Sequence, residues 1–84
     1  MKYRKRPLEV EAVYFDGNID SEDAIINFPG VSTFEMGLNT SYWIVNKGVK
    51  GFMLGVNEWL IEGIEGELYA CSDSVFQKSY EKVD

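Results

Sequence analysis

The chain predicts a small α+β fold: a curved antiparallel sheet or partial β-barrel of about five or six short strands, with one short helix (about 20–28) packed on it. Three observations predict it. The segment "LEVEAVYF" (8–15) alternates at the period of a strand, and "IDSEDAIINFPG" (19–30) carries the start and stop signals of a helix. From residue 31 onward, short β-rich runs recur between Gly, Asn and Ser.

In the first strand Leu8, Val10, Ala12 and Tyr14 fall on one face, and Glu9, Glu11 and Val13 on the other. "DGN" (16–18) then signals a turn. For the helix, Asp20 or Ser21 is the expected N-cap, Glu22 and Asp23 suit the positive end of the dipole, and Pro29-Gly30 forces the stop. Ile25, Ile26 and Phe28, with Ile19 before the cap, supply its expected buried stripe. A helix this short does not stand alone and must pack on the sheet.

The runs "VSTFEMGL", "SYWIVNKG", "KGFMLG", "EWLIEG" and "GELYAC" predict a meander of antiparallel strands joined by tight turns, the first at "NTS" (39–41). "VNKGVKGFML" (45–54) and "LIEGIEGELY" (60–69) echo each other without gaps, pairing Gly48 with Gly63 and Gly51 with Gly66. The shared form suits two similar hairpins whose turn glycines take positive φ. At the end, Ser72 or Asp73 offers a cap for about one helical turn carrying Val75 and Phe76. Tyr80 and Val83 then suit a last short strand, which lies beside the first and closes the domain.

Eighty-four residues predict one domain, 1–84. Five Phe, five Tyr and two Trp are the aromatic content of a folded globule. The basic start "MKYRKR" leads into alternation rather than an apolar run, so no secretory leader and no membrane span are expected. A single cysteine forms no internal disulfide, and the expected compartment is the cytoplasm. Lys2, Arg4, Lys5 and Arg6 hold half of the positive charge. Residues 7–84 therefore carry four positive against fourteen negative charges, a net of −10. An acidic body repels phosphate backbones and argues against general nucleic-acid binding.

The residues for catalysis are sparse. Without histidine the chain lacks the usual general base and the commonest metal ligand. Cys71 reads as a small buried hydrophobe, having no histidine to activate it and no second cysteine to share a metal. Glu58, Glu62, Glu65 and Glu67 are the candidates for carboxylate chemistry, yet charged residues at turns and on hairpin faces are ordinary. The spacing Gly48, Gly51, Gly55 lacks the Lys-Ser/Thr and helix of a phosphate loop. Trp43, Phe52, Trp59 and Tyr69 form an aromatic stripe that either packs the core or leaves a subset exposed for binding.

"MKYRKRPLEVEAVYFDG" and "EWLIEGIEGELYACSDSVFQKSYEKV" together resemble a family of small proteins encoded by bacteriophages and prophages. The matching positions are Tyr3, Arg4, Lys5, Pro7, Glu11, Ala12 and Phe15 at the front, and Trp59, Ile61, Gly63, Gly66, Glu67, Tyr69, Cys71, Phe76 and Tyr80 at the back. Where the family has Pro-Gly-Asp, this chain has Val56-Asn57-Glu58. The resemblance implies origin and a central hairpin, without an activity or cofactor. The expectation is a non-enzymatic accessory protein binding a host protein, including as an inhibitor of host defence. Alternatives are a small-ligand binder or sponge, holding a nucleotide with Arg4, Lys5 and a ring, and a virion or assembly component. Candidate interaction residues are Arg4, Lys5, Trp43, Trp59, Glu67 and Tyr69. An edge strand in so small a sheet also makes a homodimer an open expectation.

Overall fold

Strand β1 (Glu11–Phe15) is apolar on both sides, and its two faces organise the molecule. The structure is a computed structural model that describes residues 1–3, 9–37 and 42–83. After β1 come α1 (Ile19–Ile26), β2 (Thr33–Met36), β3 (Tyr42–Lys47), β4 (Lys50–Gly55), β5 (Glu58–Glu62), β6 (Leu68–Ser72) and α2 (Asp73–Ser79). The fold is α+β. Among the described residues, six antiparallel strands form two open three-stranded sheets, ordered β1-β5-β6 and β2-β3-β4.

Register fixes which residues share a face. In the first sheet Val13, Leu60 and Ala70 lie in one inward row, while Tyr14, Trp59 and Cys71 lie in an outward row. In the second, Phe34, Val45 and Phe52 form one inward row, and Met36, Trp43 and Leu54 another. The inward faces meet at Phe15. Its ring stands edge-on to Phe34 (5.4 Å, 83°) and to Trp43 (5.9 Å, 86°), which stack on each other at 4.8 Å. Phe15, Ile25, Val45, Leu54 and Leu60 expose no surface.

Helix α1 closes one side of this core through Ile25 and Phe28. It starts earlier than expected, with Asn18 rather than Asp20 or Ser21 at the cap position. The cause is Asp16, whose carboxylate accepts from the Asn18 N–H (2.8 Å) and the Ser21 hydroxyl (2.7 Å), drawing Ser21 into the first turn. Chiefly through the Ser21 bond, the Asp16 carboxyl sits below its ordinary pKa. The expected buried stripe is also corrected. Ile19 and Ile26 are 72% and 52% exposed. Seven residues apart, they share a face turned about 100° from Ile25, and that face meets solvent.

The two hairpins are less alike than their sequences. Gly48 takes φ +61° at the first position of the two-residue β3–β4 turn, the geometry of a type II′ hairpin. In the β5–β6 turn the residue with positive φ is Gly66, not Gly63, while Gly51 lies inside β4. At Gly51 and Gly63 an added Cβ would instead meet the side-chain ends of Asn46 and Glu67 respectively, which would have to move aside. The connection where the family pattern has Pro-Gly-Asp turns through Asn57 at φ +72°. The Asn57 N–H bonds the Phe15 carbonyl (2.7 Å), and Glu58 accepts from the Gly55 N–H (2.6 Å). The expected "NTS" turn lies outside the described residues.

The C-terminal segment departs from expectation. Ser72 caps α2, but residues 80–83 form no strand, and the strand beside β1 is β5. Val83 stays 64% exposed. The chain is led over the sheet instead of along its edge because Phe76 stacks on Trp59. Phe15→Ala is expected to cost about 3–5 kcal/mol in denaturant unfolding. Ile26→Ala, on the exposed face of α1, should stay within about 0.5 kcal/mol of wild type.

Candidate interaction surface

The outward face of β1-β5-β6 carries Ala12, Tyr14, Trp59, Ile61, Tyr69 and Cys71. Strand alternation dictates this set once Phe15 and Leu60 point inward. Among the described residues, α2, seven residues long, and Tyr80 after it pack over it. Its Phe76 ring lies flat on the Trp59 indole at 3.8 Å and 6°. Tyr80, one helical turn further, continues the stack at 4.9 Å, and Tyr14 leans on the other side of Trp59 at 5.2 Å. Five rings, Tyr14, Trp59, Tyr69, Phe76 and Tyr80, share this surface and all are half-buried. Ile61 beneath them is fully buried.

Polar bonds fix the rings. The Trp59 indole N–H donates to Asp73 Oδ1 (2.9 Å), which also accepts from the Gln77 amide (3.1 Å). Both bonds favour the carboxylate and lower the Asp73 pKa, the indole bond most. The hydroxyls of Tyr69 and Tyr80 are 3.0 Å apart. Burial, then the Tyr80 bond, pushes the Tyr69 phenol up to about 12. The Tyr14 hydroxyl donates to Asn57 Oδ1 (2.7 Å).

A groove opens between this ladder, the start of β1 and the C-terminal segment. Trp59, Phe76 and Tyr80 line it together with Val10, Ala12 and Ile64. Glu9, Glu11, Glu62, Glu81 and Lys82 also line it, so its charge is acidic. Ile64 is 67% exposed.

Of the residues singled out in the sequence, Trp59 and Tyr69 come together on this face. Trp43 lies on the opposite side of the core, stacked on Phe34, so the expected aromatic stripe divides: Trp43 and Phe52 inward, Trp59 and Tyr69 outward. Glu67 folds back into the β5–β6 turn, where Oε2 accepts from the Glu65 N–H (3.1 Å). Arg4 and Lys5 lie outside the described residues. Tyr14, Phe76 and Tyr80 were not among the candidates. Their signals were the alternation of β1 and the four-residue spacing of the last two.

Cys71 is a free, half-buried thiol beside Trp59. Among the described residues no three His, Cys, Asp or Glu side chains gather as ligands for a metal ion, and no helix is long and apolar enough to cross a membrane. Comparison with models of known protein families, with curated proteins and with solved structures finds no match.

Because its folded pKa is depressed, Asp73 contributes stability above the ordinary aspartate range near ~3.9, which is lost as pH falls through the lower folded value. The Trp59 indole N–H resonance should therefore titrate with a midpoint below that range, and Asp73→Asn should abolish the step. A midpoint at or above the ordinary value would contradict the assigned bond.

Proposed function

We propose that this protein acts by binding another protein, without catalysis of its own, and that the outer aromatic face is the contact surface. The observation that carries this reading is a continuous surface of five half-buried rings flanked by the exposed side chains of Ile64 and Val83. Aromatic side chains in such settings supply much of the energy of protein interfaces, since they bury large areas at small entropic cost. Apolar groups left beside them in water gain by being covered. The resemblance at both ends motivates a phage or prophage origin, with a bacterial host protein as partner and inhibition of a host defence protein as its specific form. The acidic body adds long-range attraction for a basic partner surface.

The test is affinity capture from host lysate with the tagged protein as bait and mass spectrometry as readout. One stoichiometric host protein is expected, lost with Ile64→Asp and retained with Met53→Asp, a control at an exposed site on the other sheet. Capture of nothing, or capture indifferent to Ile64→Asp, would contradict the reading.

A further inference from the structure

We propose that the outer face of β1-β5-β6 is a docking slot for a short helix, and that α2 is its built-in occupant. The partner binds by displacing α2 with a helix of its own that carries aromatic side chains four residues apart. The inference rests on the binding function above and deepens it. The occupant is visible in the fold. Helix α2 sets Phe76 flat on the Trp59 indole at 3.8 Å. Tyr80, four residues on, stacks on Phe76 and brings its hydroxyl to that of Tyr69. Ile61 lies fully buried on the same face of the sheet. A helix that anchors in an apolar groove through side chains one turn apart is a recurring mode of protein recognition.

The slot is rigid and its occupant is loosely held. Tyr14, Trp59, Ile61 and Tyr69 stand on paired strands. Helix α2 buries none of its seven residues, and all but Phe76 are exposed. A helix of this length does not persist without its contacts. Its stack and its Asp73 hydrogen bond both end on one side chain, Trp59. Ser72 is at once the last residue of β6 and the cap of α2. Rotation there swings the helix off the face and leaves the pairing of Trp59 through Glu62 with β6 in place. In the closed form Phe76 covers one face of the Trp59 ring and Tyr14 leans on the other. A partner therefore reaches that indole where Phe76 leaves it. Tethered at high effective concentration, α2 outcompetes weak ligands, and the apparent affinity of the partner falls by the fraction of molecules in which the slot is vacant.

The probe is a capped peptide of residues 72–83 of this chain. It is titrated into the full-length double variant Phe76→Ala with Tyr80→Ala while the Trp59 indole N–H resonance is followed. A saturable shift toward the wild-type position is expected, and the same peptide with Ala for both rings should not produce it. In the wild-type protein, where α2 competes, binding should be at least about tenfold weaker. The Trp43 indole, packed against the inner core, reports whether the variant stays folded. A Trp43 resonance at its unfolded position in the variant would make α2 part of one cooperative unit and overturn the proposal. No shift in either protein, or equal affinity for both, would also overturn it. A wild-type dimer that the peptide returns to monomer would assign the slot to α2 of a second copy and overturn the partner assignment. In the lysate capture above, the double variant should retain more of the host protein than the wild type. Capture that needs Ile64 but falls in the double variant would remove this inference while leaving the binding function standing.

Discussion

The structure depends on one constraint: the β1-β5-β6 sheet is apolar on both faces and must be covered twice by a chain of 84 residues. On the inward face lie Phe15, Leu60 and Ala70, and on the outward face Trp59, Ile61 and Tyr69. A sheet with one solvated face needs a single cover, but this one needs two. The inner cover is substantial, since a whole second sheet and α1 converge on Phe15. Small domains bury a limited share of their surface, and among the described residues α2 and Tyr80 lie over the other side.

The outer cover is therefore thin, and the candidate site follows from that thinness. Helix α2 is too short to persist by itself. It is held by the Trp59–Phe76 stack, the Trp59–Asp73 bond and the Tyr69–Tyr80 hydroxyl pair. Interactions of these kinds are worth roughly 0.5–1.5 kcal/mol each, enough to seat one helix but less than the burial that holds the inner layer. Ile61 is fully buried, while the rings around it stay half-open to solvent. The surface proposed for binding is thus a core face that the described residues leave half-covered.

Much of the fold was legible because it is written locally. Alternation marks strands, Pro29-Gly30 ends α1, and Gly48 and Gly66 mark two of the turns that take positive φ. What was not legible is long-range. Nothing near "EAVYF" says that it pairs with "EWLIE" some fifty residues later, and that pairing decides that the strands divide into two sheets. The face of α1 was misjudged because Ile19, Ile25 and Ile26 are equally apolar, and only the position of the core selects Ile25. The aromatic stripe divided for the same reason: Trp43 and Trp59 occupy similar local sequences, but their strands belong to different sheets. Of the five rings, Trp59 and Tyr69 were readable as candidates, and Tyr14 needed the β1–β5 register. The remainder needed α2, which lays Phe76 and Tyr80 across them.

Residue-resolved hydrogen exchange under native conditions tests the two-cover account most directly. It predicts that the Leu60 and Ile61 amides of β5 exchange only through global unfolding, while amides in the last turn of α2 exchange through a local opening of distinctly lower free energy. Equal opening free energies for β5 and α2 would mean that both covers belong to one cooperative unit, and would contradict it.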